Sequence, residues 1–178
     1  MGMERKIVLY IAMSLDGYIA KLNDDLSFLD LVEKDGEDYG YADFISNTDT
    51  VIIGRKTYDW ITSRVDFPYT DKTTYVITRT PKPNHQGKIV YTNDIVKLVV
   101  KLKSADGKQI FCVGGSEIVD MLLNENLIDE MIISIIPILL GDGIKLFKNG
   151  IPEQKLTLLS TKQFVTGLVQ LHYEFESK

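Results

Sequence analysis

The sequence predicts an α/β protein with a central mixed, mostly parallel sheet, helices on both faces and an antiparallel hairpin at its C-terminal end. Three observations carry this expectation. Short apolar runs such as TVIIG and QIFCV are continuous rather than alternating, the pattern of strands buried on both faces. They take turns with stretches of helical spacing along most of the chain, as in sheets covered by crossover helices. The tail LTLLSTKQF-VTG-LVQLHYEF instead alternates apolar and polar residues around a turn, which reads as a hairpin.

The elements follow in order. Lys6 to Met13 is an apolar run of strand length that enters the turn SLDG, with YIA after it. Asn23 to Gly40 is acidic and irregular; Leu26, Phe28, Leu29, Leu31 and Val32 give it a partly helical stripe, enough for a short helix between loops. Tyr41 and the following ADFISNTDT suggest a helix end, Thr50 to Gly54 is a β-branched strand stopped by glycine, and RKTYDWI is a short helix. Thr73 to Arg79 is a strand closed by the prolines of TPKP, and Lys88 to Thr92 is another after the turn NHQG. Asp94 caps a helix with Ile95, Leu98, Val99 and Leu102 on one face. The turn ADGK leads into QIFCV and two glycines, and a helix runs from Ser116 to Asn124. EMIISIIPILL reads as a long apolar strand in which Pro137 marks a bulge or a sheet edge. No internal repeat or linker interrupts residues 1–178, so one domain is expected.

Composition narrows the function classes. A chain of 178 residues can bury roughly 70% of its unfolded surface. Hydrophobic residues make up 44% and charged residues 25%, ordinary values that argue against disorder. The net charge of -5 argues against a sequence-independent grip on nucleic acid, which needs a basic face, and leaves a small molecule as the expected partner. No run approaches the roughly 18 apolar residues of a membrane span. The start MGMERKIVLY reads as a strand rather than a leader, so the cytoplasm is the expected location. Cys112 is the only cysteine, so no intrachain disulfide forms; with His85 and His172 it makes no zinc-ligand spacing, and no metal is expected. Cys112 lies in an apolar run and reads as a structural thiol, with a reactive one as the alternative.

Two segments share a design, TVIIG-RKTYDW and IFCVGG-SEIVDMLL: strand, glycine, helix. A helix start presents unpaired N–H groups and a partial positive charge, so an anion docks there where the backbone can be approached. Gly114 and Gly115 permit that approach, and Ser116 can cap the helix or donate to a phosphate. Either segment alone also fits a tight turn with no ligand. VGGSEIV lacks the third glycine of the dinucleotide fingerprint, which argues against a doubly wound dinucleotide domain. Arg55 and Lys56 after Gly54, and Arg79 after TTYVIT, stand at strand ends, either as a phosphate site suited to a 2′-phosphate or as solvated charges.

In sequence order, IAMSLDGYIA, VIIGRKTYDWI, TYVITR, IFCVGGSEIV and IISIIPILLGDGIKLF resemble the dihydrofolate reductase-like superfamily. SLDGYIA and P-x-L-L-G-x-G-x-x-L-F resemble most the branch of the C-terminal reductase domain of the riboflavin-biosynthesis deaminase-reductase. The resemblance covers about Lys6 to Glu174 and implies a three-layer fold around about eight strands, with NADPH bound across the strand ends. It also implies hydride transfer to a pyrimidine or pterin-like heterocycle, by default 5-amino-6-(5-phosphoribosylamino)uracil in riboflavin biosynthesis, in a homodimer. Dihydrofolate reduction, and nucleotide binding without turnover, are the alternatives.

Carried over by position, the resemblance puts Ala12 and Ile19 at the nicotinamide and Gly54, Arg55, Lys56 and Thr57 at the phosphates, with Arg55 near the 2′-phosphate. Thr78 and Arg79 would flank the adenine ribose, and the amides of Val113, Gly114, Gly115, Ser116, Glu117 and Ile118 would wrap the pyrophosphate. Asp30 is the counterpart of the family's acid, with Asp16 as the other candidate, although an Asp before Gly is commonly a turn residue. Ser134 and Phe28 would stand on the substrate side. The paired zinc-deaminase signature of H-x-E with P-C-x-x-C does not occur, so the expected activity is reduction alone. RKTYDWITSRVDFPYT stands where the riboflavin reductases hold a ribose phosphate, with Asp59 and Arg64 as the nearest counterparts of that stretch.

Overall fold

The computed structural model describes residues 5–80 and 87–176. Among these the strands are β1 Ile7–Ser14, β2 Tyr18–Ala20, β3 Thr48–Gly54, β4 Thr73–Ile77, β5 Ile89–Thr92, β6 Gln109–Gly114, β7 Glu130–Ile136, β8 Ile144–Lys145, β9 Leu156–Gln163 and β10 Val169–Phe175. The helices are α1 Tyr41–Ser46, α2 Arg55–Thr62, α3 Ile95–Lys103 and α4 Ser116–Asn124, with 3-10 turns at Leu22–Asp24 and Ser27–Val32. Eight strands make one sheet in the order β5-β4-β3-β6-β1-β7-β10-β9, and β2 pairs with β8 in a small second sheet. From β5 to β7 every neighbouring pair is parallel; β10 and β9 join antiparallel as the expected hairpin.

The strand period of two divides the side chains between the faces. On the first face Leu9, Ile52, Ile110 and Cys112 meet Val99 and Leu102 of α3 and Val119 and Leu122 of α4. On the second, Val8, Val51 and Phe111 pack with Phe44 of α1 and with Tyr69, and farther along Phe28 and Val32 pack on Ile136 and Leu168. Each such side chain taken fully from water contributes about 1.5–3 kcal/mol, so burial on both faces holds the sheet between its helices. No helix among the described residues is long and apolar enough to cross a membrane.

Most expected elements form, including α4 with the bounds read from its periodicity, and Asp94 caps α3 by accepting from the Lys97 amide at 3.0 Å. Three expectations change. The strand from Thr73 ends at Ile77 because Thr78 gives its amide to Thr92 across the strand end and Arg79 turns out to solvent. Pro137 causes no bulge and sits at no edge; β7 is a central strand that stops at Ile136, where the Ile138 amide folds back onto the Ile136 carbonyl at 2.8 Å. The β2–β8 sheet was not foreseen: Gly143 lies so close to Ala20 that a Cβ there would fall 2.2 Å from the Ala20 carbonyl oxygen. The TPKP and NHQG turns fall largely outside the described residues, as does His85.

Candidate functional site

Because β1, β3, β4, β6 and β7 run parallel, their carboxyl ends, at Ser14, Gly54, Ile77, Gly114 and Ile136, share one edge of the sheet. Open α/β sheets bind ligands at this edge, where successive connections leave in opposite directions. Here that place lies between β3 and β6. From β3 the chain goes on to β4 on one side; from β6 it goes over β1 to β7 on the other. At their ends the two strands touch: Ile53 pairs with Gly114, and a Cβ on Gly54 would lie 3.0 Å from Ile118 and 3.4 Å from the Gly114 carbonyl oxygen. Glycine at 54 therefore lets the two strand-to-helix turns approach. The Gly115 amide donates to Thr57 Oγ1 at 3.1 Å, stitching the start of α4 to the start of α2, and the Gly114–Gly115 peptide is cis.

This geometry revises the expected cradle in detail. Gly115, not Ser116, is the residue before the first turn of α4, so Ser116 is no cap. The Gly115 amide is used by Thr57 and the Ile118 amide returns to the Gly115 carbonyl at 3.0 Å, while Val113 and Gly114 belong to the β6 ladder. The first-turn amides of Ser116 and Glu117 remain as the donors without an intrahelical acceptor. Glu117 is exposed and sets a carboxylate beside them, whereas the Ile118 side chain is core. On α2, Arg55 directs Nε to both oxygens of Asp59, at 2.7 and 2.6 Å, and rests 5.7 Å from the Tyr91 ring centre; the Asp59 bond raises its pKa further. Lys56 and Arg79 are exposed and form no ion pair among the described residues, and half-buried Thr78 accepts the Thr80 amide at 3.3 Å. Arg64, a suggested phosphate ligand, instead lies 4.2 Å over the Trp60 ring and donates to the Trp60 carbonyl at 3.1 Å.

The substrate-side expectations fare differently. Ala12 is half-buried on the second face, level with Ser134 of β7, and Ile19 is half-buried against the first cluster. Phe28 is 1% exposed and packs among Val32, Ile136 and Leu168, so it is core and cannot face a ligand. In the 3-10 turn that points Phe28 inward, Asp30 two residues on faces solvent, which removes it as a sheltered acid. Asp16 accepts from the Ser14 hydroxyl at 2.6 Å and from the amides of Leu140 and Gly141 at 3.0 and 2.7 Å; these bonds, Ser14 first, hold its carboxyl down to about 2. A carboxylate held so firmly ionised is a loop clamp and a poor proton donor. Ser134 is 4% exposed and its hydroxyl accepts from Gln170 Nε2 at 3.1 Å. It is therefore sealed from direct substrate contact.

Sequence reasoning missed the group around Ser134. Gln170 Nε2 also lies 3.1 Å from the Tyr10 hydroxyl and 3.2 Å from the Tyr39 carbonyl, to which Tyr10 donates at 3.0 Å. Tyr10 in turn packs on Tyr41 and Phe44. Polar residues inside apolar strands, Tyr10 in IVLYIAM and Gln170 in LVQLH, were the available signal. Two recesses lie elsewhere: about 680 Å³ at the opposite sheet edge beside Arg5 and Lys6, and about 590 Å³ of mostly apolar lining on the first face beside Met131, Ile133, Leu171 and Tyr173.

The chain is similar in sequence and fold to known proteins. The family model of the RibD C-terminal domain matches residues 5–170. Uncharacterized protein YwjB of Bacillus subtilis (strain 168) is 46% identical over 173 residues, 96% of this chain and 98% of the relative. Uncharacterized protein YyaP of the same organism is 31% identical over 185 residues, 97% of this chain and 96% of the relative. A solved Shewanella sp. PV-4 structure, named for riboflavin biosynthesis, superposes with a TM-score of 0.87 at 29% identity over 97% of this chain and 99% of its own. The Thermotoga maritima diaminohydroxyphosphoribosylaminopyrimidine deaminase/5-amino-6-(5-phosphoribosylamino)uracil reductase superposes with a TM-score of 0.71 at 13% identity, over 97% of this chain and 57% of its own, a likeness of fold.

Proposed function

The chain belongs to the RibD C-terminal domain family, and from that premise we propose that it is an NADPH-dependent reductase of a pyrimidine or pterin-like heterocycle. The observation that carries the reading is the Thr57–Gly115 stitch, which gathers the open first turns of α2 and α4 at the carboxyl edge of the sheet. NADPH supplies a hydride from nicotinamide C4 when bound. Around it, the Ser116 and Glu117 amides and the first turn of α2 take the pyrophosphate, and Arg55, Lys56, Thr78 and Arg79 take the ribose phosphate end. Ala12 and Ile19 give the ring an apolar surface. With the cofactor held there, the carbon of a C=N or C=O bond would receive the hydride and the heteroatom would take its proton from water, since Asp16 is locked as an acceptor and Asp30 is exposed. The chain thus contributes alignment and charge placement.

Titrating the protein into NADPH and following nicotinamide fluorescence tests the cofactor; a saturable change in the micromolar range is expected, and none at high micromolar protein sinks the reading. Arg55→Ala is expected to weaken NADPH by about tenfold or more while leaving NADH nearly unchanged, the loss of a charge-assisted contact to the 2′-phosphate. Equal losses would remove Arg55 from that role. Nucleotide binding without turnover is the second reading, favoured by the lack of a sheltered acid among the expected residues; NADPH bound but never oxidised would select it. We also propose a homodimer, supported by the apolar recess on the first face and by Leu158 and Leu159, 50% and 45% exposed on the edge strand β9. Light scattering at monomer mass would refute it.

A further inference from the structure

This inference rests on the preceding reading and deepens it, with the nicotinamide on Ala12. In that reading the cofactor crosses the carboxyl edge from β4 over β3 and β6 to β1, and the next strands beyond it are β7 and β10. A row of second-face residues runs the same way: Ala12 stands opposite Ser134, and Ser134 opposite Gln170. With neighbouring strands about 4.8 Å apart, Gln170 lies about 10 Å from Ala12, on the side where a reaction partner for the nicotinamide has to stand.

Gln170 is 7% exposed, and chemistry fixes which way its carboxamide faces. The Tyr39 carbonyl can only accept, and Tyr10 already gives its hydroxyl proton to that carbonyl at 3.0 Å. The carboxamide atom 3.2 Å from the Tyr39 carbonyl and 3.1 Å from the Tyr10 hydroxyl therefore has to be the nitrogen. The same nitrogen donates to Ser134 Oγ at 3.1 Å, so its two hydrogens are shared among three acceptors. The other half of the carboxamide is left over. Oε1 accepts from no described group, yet it is not sealed: among the described residues, the fully enclosed side-chain atoms without a partner are Trp60 Nε1 and Thr74 Oγ1. An acceptor held rigidly by three bonds to its own amide, and lacking a protein donor, is open to an N–H from a ligand. Ser134 is sealed beneath this group, so Gln170 takes the substrate-side place expected for it.

We infer that Gln170 Oε1 is a specificity-determining acceptor of this site, and that the substrate is a heterocycle presenting a ring N–H to it, as a pyrimidinedione does. The test titrates NADPH-saturated protein with 5,6-diaminouracil and with 5,6-diamino-1,3-dimethyluracil, whose ring nitrogens carry methyl groups in place of hydrogens. The first is expected to bind about threefold to tenfold more tightly, the worth of one neutral hydrogen bond. Gln170→Met is expected to abolish that gap, and Ser134→Ala to keep it. A purely structural Gln170 would instead weaken both compounds alike when replaced. A second readout needs no variant: in 15N-labelled wild type, the Gln170 side-chain NH2 resonance is expected to shift with 5,6-diaminouracil and not with the dimethyl compound. Equal binding of the two compounds, a gap that survives Gln170→Met, equal losses for both, an unmoved resonance, or binding of neither compound overturns the inference. Those outcomes leave the cofactor reading standing, because NADPH binding is measured first; failure of that titration removes both.

Discussion

The two edges of the sheet treat charge in opposite ways. At the amino ends of the parallel strands, cations are paired, some enclosed and some, like Lys6, at the surface. Arg5 is 6% exposed, donates to the Lys108 carbonyl at 2.7 Å and to Thr50 Oγ1 at 2.8 Å, and forms an ion pair with Asp49, which also accepts the Lys108 amide. One strand pair along, Lys6 bridges Glu130 and Glu174 while His172 lies 2.8 Å from Glu130, and Lys103 reaches Asp129 at 2.6 Å. At the carboxyl ends stand two open helix starts and exposed Lys56 and Arg79. The contrast teaches where the molecule stores stability and where it keeps binding capacity: groups already partnered hold the strands in register, and those still open are available to a ligand.

Breaking the amino edge gives the largest effect. Arg5→Ala removes the buried guanidinium from Asp49, Thr50 and the Lys108 carbonyl, and a loss of about 2 kcal/mol in chemical denaturation is expected, with NADPH affinity of the folded fraction unchanged. A loss under about 1 kcal/mol would erase the contrast. At the other edge, Glu117→Lys removes the carboxylate beside the Ser116 and Glu117 amides; NADPH is expected to tighten about threefold to tenfold, while the helix loses about 0.3–1 kcal/mol because a positive charge meets its positive end. Unchanged NADPH affinity would take α4 out of the site.

Smaller effects sharpen the picture. The folded pKa of Asp16, about 2, lies below its ordinary value, near 3.9. Its contribution to stability is therefore complete above about pH 4 and is lost as pH falls through about 2. Asp16→Asn is expected to flatten that part of the acid-unfolding curve, and an unaltered curve would show that the clamp adds nothing. The smallest expected effect is none at all: Cys112 is fully buried and burial pushes its thiol up to about 12, so a thiol reagent at pH 8 labels it only after unfolding. Rapid labelling of the native protein would contradict the packing of β6 between β3 and β1.

The sequence revealed the fold almost completely, because buried parallel strands and one-faced helices write their periods into the chain. Helix α4 and the paired glycine turns were legible for that reason. The corrections share a cause. Phe28 turns into the core and Asp30 out to solvent because a 3-10 turn repeats every three residues, a local geometry that positions carried over from a family do not encode. Asp16 gained its clamp from Leu140 and Gly141, 124 and 125 residues away, and Ser134 was closed by Gln170 from a neighbouring antiparallel strand. Contacts made across the sheet leave no mark in local spacing.

The position of β1 has a kinetic consequence. It pairs in parallel with β6 on one side and β7 on the other, Ile7 opposite Ile110 and Val8 opposite Glu130. Emerging first during synthesis, this strand waits more than a hundred residues for either neighbour, and parallel pairing at such separation is slow because the intervening chain must be ordered first. Until β6 has formed, the run IVLYIAM has neither partner, and until β7 has formed one of its edges stays open, which makes the nascent chain more prone to association than the finished protein.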